Sequence, residues 1–152
     1  MTEHGAGDGD ADRHVLTLFA DAVPEIAAGT VTIRALARVA GSRTKIAVSS
    51  EDPTVDPVEA CVGPEAQRVR RVVEALGGER IDIVPWSSAP ERMIRYALAP
   101  MSIASIQLDP SSQHARVLVP SEQLSKLGKD GCDLASRLSG WALQIEAVPP
   151  AA

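Results

Sequence analysis

The chain has 152 residues, 45% of them hydrophobic and only 3% aromatic, with a formal net charge of −5 at pH 7. That length holds one core of ordinary size or two small ones, and the negative balance excludes a protein held on nucleic acid by bulk electrostatics alone. No run of about 18 apolar residues exists to cross a membrane as a helix. The N-terminal MTEHGAGDGDADRH lacks the basic-then-apolar order of a secretion signal, so a cytoplasmic location is expected.

Residues 1–12 carry Glu3, Asp8, Asp10 and Asp12 with no Lys or Arg, and no apolar period, which predicts a disordered acidic leader. Taking their −4 from the total of −5 leaves −1 for residues 13–152, so any RNA site has to be local. From residue 14 to 23, HVLTLFADAV has the spacing of an amphipathic helix closed by Pro24. Residues 29–39 alternate as a strand, and Gly41-Ser42 turns the chain into a second strand over residues 44–49. After the loop EDPTVDP, Asp56 is placed to cap a short helix that has Pro57 at its first position. The turn Gly63-Pro64-Glu65-Ala66 comes next. A longer helix with Val69, Val72, Val73 and Leu76 on one face then ends at Gly77-Gly78, and residues 80–84 alternate as a strand.

That order then repeats. Residues 90–98 have helical spacing, and strands over 103–108 and 115–119 are joined by Asp109-Pro110-Ser111-Ser112. Two helix-like runs flank Gly128-Lys129-Asp130-Gly131, and residues 141–148 form the last strand. The repeat predicts an α+β chain of two α-β-β-α-α-β units, 13–86 and 87–152. In each unit a glycine turn joins the two consecutive helices. Glycine lets a nucleic-acid backbone lie close to such a turn, and the N–H groups of the helix after it face its phosphates.

The strings LFADAVPEIAAGTVTIRALAR, GSRTKIAV, VDPVEACVG, GGERIDIV and LASRLSGW resemble the tandem KH region of the bacterial transcription elongation, termination and antitermination factor NusA. The resemblance runs from about residue 16 to 145. It implies two prokaryotic-type (type II) KH domains, single-stranded RNA as partner, and RNA polymerase or other transcription proteins as further partners. Full-length members place a polymerase-binding domain and an OB-type domain ahead of this region. About 15 residues precede the match here, so neither is expected in this chain.

Two departures from the family's pattern bear on the site. In the first turn the basic residue and closing glycine of G-x-x-G are replaced by Glu65 and Ala66, so Gly63, Pro64, Arg68 and Arg71 are expected to give at most a weak RNA contact. Ala66 disfavours the positive φ that glycine permits. In the second unit the GKDG turn is intact, and Gly128, Lys129, Asp130, Gly131 and Lys126 are the expected RNA-binding residues, both Lys129 and Gly131 at the surface. The run before it is one residue shorter than the family's, and in an α-helix such a deletion rotates the glycine turn beyond it by about 100°. These features also support an alternative: a degenerate KH pair acting as a protein-interaction module without RNA binding.

Other chemistry is not indicated. Cys61 and Cys132 lie in amphipathic runs and read as buried thiols. His4, His14 and His114 lack metal-ligand spacing, and no nucleophile–base order, P-loop or dinucleotide fingerprint occurs. Neither a metal, a cofactor nor an enzymatic activity is expected. Trp86 and Trp141 are expected as core or inter-unit anchors, and Phe19 and Tyr96 as core.

Overall fold

A computed structural model describes residues 3–148, with side chains from Asp12 onward. The chain divides into two compact units that meet at Pro85 and Trp86, within a residue of the expected boundary.

In the first unit α1 (Glu3–Ala22) and the single turn α2 (Pro24–Ala27) precede β1 (Val31–Val39) and β2 (Arg43–Ser50). Then come α3 (Pro57–Val62), a 3-10 turn (Pro64–Ala66), α4 (Gln67–Ala75) and β3 (Arg80–Pro85). The acidic segment expected as a disordered leader overlaps the first turns of α1. Residues 1–2 and the side chains of 3–11 lie outside the described residues, and the backbone is helical from Glu3. Once the apolar residues from Val15 onward hold a helix, each residue added to its N-terminus gains a hydrogen bond at no further nucleation cost, and carboxylates favour that end.

β1 and β2 form the expected antiparallel hairpin, with an irregularity between Ile33 and Ala35, and β3 joins β2 in parallel to give the order β1-β2-β3. Helices cover one face of this sheet. Val15, Phe19 and Val23, from α1 and the residue after it, pack with Ile46 and Val48 of β2, Cys61 of α3 and Val72 of α4, all essentially inaccessible to solvent. The period-2 and period-3.6 patterns therefore converge on one core.

Asp56 caps α3 as its position suggests, its Oδ1 accepting from the N–H groups of Val58 (2.9 Å) and Glu59 (3.2 Å). Asp56→Ala is expected to cost about 1 kcal/mol. The measurement is a urea titration, in which the midpoint should fall with the slope unchanged. An unaltered midpoint would mean that water serves these N–H groups as well as the carboxylate does.

The second unit repeats the plan with α5 (Pro90–Ala97), β4 (Ser105–Asp109), β5 (His114–Pro120), a 3-10 segment (Ser121–Lys126), α6 (Gly131–Ser139) and β6 (Ala142–Val148). Its sheet has the order β4-β5-β6, antiparallel then parallel. Met93, Ile94, Val117, Val119, Leu134 and Leu138 are buried, and so is Trp141, as expected of a core residue. Trp86 and Tyr96 are only half-buried, whereas Phe19 is fully enclosed.

The run at 121–126 is wound as a 3-10 helix rather than the α-helix expected. Six residues at 3.0 per turn advance by about 720° and 12 Å, while seven α-helical residues advance by about 700° and 10.5 Å. Overwinding thus replaces the missing residue almost completely, and the 100° rotation expected from the shortening does not arise.

Candidate nucleic-acid interface

The second turn stands between the 3-10 segment and α6. Gly128 is exposed with φ 77°, a conformation open to glycine at no steric cost. Lys126 and Lys129 are exposed, and neither has an ion-pair partner among the described residues. Asp130 is half-buried and is the N-cap residue of α6, yet its side chain makes no cap hydrogen bond, so the first-turn N–H groups of a nine-residue helix remain uncapped. Such groups carry partial positive charge and suit a phosphate.

Gly131 departs from expectation. It is buried rather than at the surface and has no positive φ. A Cβ there would lie 2.8 Å from Leu127 Cδ1 and 2.9 Å from its Cγ. Its glycine is thus required by packing inside the turn. A substitution such as Gly131→Asp would disturb the fold as well as the surface, which makes it a poor probe of binding.

The first turn is built differently. Gly63 has φ 78°, and both Glu65 (φ 54°) and Ala66 (φ 61°) take left-handed backbone conformations although neither is glycine. The sequence suggested that Ala66 would avoid positive φ. Instead the turn keeps that shape against a cost of roughly 1–2 kcal/mol per residue. Winding of α4 starts at Gln67, four residues after Gly63, whereas α6 starts three residues after Gly128.

The basic residues of α4 are largely committed. Arg68 Nη1 donates to Glu25 Oε1 (2.8 Å) and to the Ala60 carbonyl (2.7 Å), and its stem lies against Gly63, where a Cβ would be 2.5 Å from Arg68 Cγ. Arg70 Nη2 donates to the Glu65 carbonyl (3.1 Å). Arg71 is exposed and faces away from the turn, lining a cleft with Leu18 and Asp21 of α1. Of the residues expected as a weak RNA contact, Gly63 and Pro64 lie in the turn, Arg68 is engaged inside the unit, and Arg71 is elsewhere.

A second polar feature was not legible in the sequence. Glu79 is 2% exposed and accepts from Arg38 Nε (2.9 Å) and Nη2 (2.8 Å), from Gly41 N–H (3.0 Å) and from the Thr44 hydroxyl. Burial alone would raise its pKa, but the hydrogen bonds from Arg38, Thr44 and Gly41 together outweigh that and bring it from 4.5 down to about 2. The network locks the β1–β2 turn to the start of β3 and belongs to the scaffold. Lys45 on β2 is also buried, and burial lowers its pKa to about 8 despite the nearby Asp82 carboxylate.

Both cysteines are free thiols, and burial pushes that of Cys61 up to about 11. Among the described residues no three His, Cys, Asp or Glu side chains cluster to hold a metal ion, and no helix is long and apolar enough to cross a membrane.

Two α-β-β-α-α-β units, each with a three-stranded mixed sheet and a glycine turn ahead of its third helix, define a tandem pair of type II KH domains. Family comparison matches residues 11–86 to the NusA-like first KH domain and residues 90–151 to the NusA-like second KH domain. The chain belongs to the NusA-like KH family, whose domains are RNA-binding modules and not enzymes. It is 46% identical over 132 residues to the transcription termination/antitermination protein NusA of Bacillus subtilis (strain 168), which covers 85% of this chain and 36% of that protein. The NusA of Mycobacterium bovis is 46% identical over 142 residues, covering 90% of this chain and 41% of its own length. The chain therefore spans about two fifths or less of the curated relatives it matches. The crystal structure of APE1850 has the same fold with a TM-score of 0.59 at 20% identity, covering 90% of this chain and 96% of that one.

Proposed function

We propose that this chain is a cytoplasmic single-stranded RNA-binding protein that regulates transcription elongation, termination or antitermination, and that the RNA is held at the second turn. The observation that carries the reading is the uncapped N-terminus of α6 behind an exposed Gly128, with Lys126 and Lys129 exposed beside it. Backbone N–H groups and two lysines supply phosphate attraction in one place, which a chain of net charge −5 needs. RNA polymerase or another transcription protein is the partner that the NusA relatives suggest.

Titrating the chain with a labelled single-stranded RNA pool at about 50 and 150 mM salt tests the reading. Each phosphate contact adds about 0.7 to the salt slope on single strands, so binding with a slope near 2 is expected. RNA held at neither salt would overturn the proposal.

The first turn is expected to be repairable. Glu65→Arg replaces a repulsion with an attraction, and Ala66→Gly opens the close approach, so the double variant should bind RNA several-fold more tightly with a salt slope larger by about 0.7. Relief of left-handed strain at residue 66, about 1 kcal/mol, is offset by the larger entropy loss of glycine, leaving stability within about 1 kcal/mol of the parent. Identical affinity and slope would show that RNA does not cross the first unit even when its turn is restored.

A further inference from the structure

The groove beside the first turn has the opposite chemistry to the second turn. It encloses about 560 Å³ and is lined by half-buried Val58, Val62, Gly63 and Ala66, with the exposed side chains of Glu59 and Glu65 at its rim. Neither carboxylate has an ion pair among the described residues. The arginines that could neutralise them bond elsewhere: Arg68 to Glu25 and the Ala60 carbonyl, Arg70 to the backbone carbonyl of Glu65. A phosphate entering here meets two uncompensated negative charges, whereas an ammonium or guanidinium meets two partners.

We infer that this groove is a docking site for an extended basic segment of a partner protein, aliphatic side chains on its floor and Lys or Arg on its rim. Charge complementarity selects the occupant, and the chain already places one guanidinium against this end of α3. Arg68 covers Gly63 and donates to the last turn of that helix. Six residues of α3 span about 9 Å, the reach of three extended residues, so the motif read is short: two basic residues around one aliphatic. The left-handed backbone at Glu65 and Ala66 sets the position of the second carboxylate. This site is independent of RNA binding at the second turn.

The test is an amide-resolved NMR titration of the whole chain with two probes, a hexapeptide of alternating leucine and arginine and its leucine–glutamate counterpart. The basic peptide should shift amides between Val58 and Ala66, and the acidic one should not. Because an exposed ion pair contributes up to about fivefold in affinity, Glu59→Gln with Glu65→Gln should weaken the basic peptide roughly tenfold or more. Both positions are exposed, so the thermal transition should stay in place. Shifts scattered over acidic surfaces of both units, or equal affinity in the double variant, would overturn the inference. Preferential movement of the same amides by an oligouridylate would overturn it as well, by making the groove an RNA site.

Discussion

Glu79→Ala is expected to destabilise the first unit by about 3–5 kcal/mol, because it strands Arg38, the Thr44 hydroxyl and the Gly41 N–H in a site shielded from water. The Arg38 side chain retains 11% exposure and can regain some water, so the lower end of that range applies. For a unit of this size the thermal midpoint should fall by roughly 15 °C. The same carboxylate gives the first unit a pH dependence. Its folded pKa of about 2 lies below the ordinary 4.5, so its contribution is fully present above pH 4.5 and fades as the pH falls toward 2. Two and a half units correspond to about 3 kcal/mol. Urea unfolding at pH 7 and pH 3 should show the natural chain losing more of its stability than the variant loses. Parallel pH profiles in the two proteins would show that Glu79 is not the group responsible.

The second large effect is on RNA. Lys126→Asp together with Lys129→Asp reverses two exposed charges beside the uncapped end of α6, and should weaken single-stranded RNA at least about tenfold and lower the salt slope by about 1.4. Exposed substitutions of this kind usually change stability by within about 0.5 kcal/mol, so circular dichroism melts should overlay those of the parent. Gly131 is left untouched, since its Cβ would press on Leu127 and mix a folding defect into the result. Unchanged RNA affinity would remove the second turn from the proposed path.

Much of the fold was legible because its signals are local. Alternation marked β1 and β3, the Asp56-Pro57 pair fixed the start of α3, and Gly77-Gly78 ended α4, with the Gly78 N–H on the Val73 carbonyl at 2.9 Å. The features that stayed hidden depend on partners distant in the chain. Nothing adjacent to Glu79 marks it as buried, since Arg38 and Thr44, which define its environment, lie 41 and 35 positions away. Arg68 was read as solvated because helical spacing puts it opposite the valines. Its actual partner, Glu25, comes from α2, which no periodicity announced.

The two turns show a similar limit. Glycine content predicted where the chain could come close to a ligand, and it located Gly128 correctly as an exposed residue of positive φ. It could not distinguish a glycine required by dihedral angle from one required by packing, as at Gly131, nor foresee that Glu65 and Ala66 would hold left-handed angles without one. The basic-segment groove was equally invisible, because Glu59 joins Glu65 only once α3 and the 3-10 turn meet.

The 3-10 winding of residues 121–126 has a consequence for motion. Its hydrogen bonds are less well aligned than those of an α-helix, and such segments seldom persist beyond a few residues. Here one end is tied down by Gln123, whose Oε1 accepts from the Ser102 N–H at 3.0 Å, while Ser125 and Lys126 at the other end are exposed. The second turn is therefore mounted on a rigid helix at Gly131 and on a compliant spring at Lys126. A strand gripping both sides has to still the spring, and the lost freedom subtracts from its affinity. Fast release is the natural kinetic signature of such a mounting, and it suits a contact made to a transcript that keeps moving.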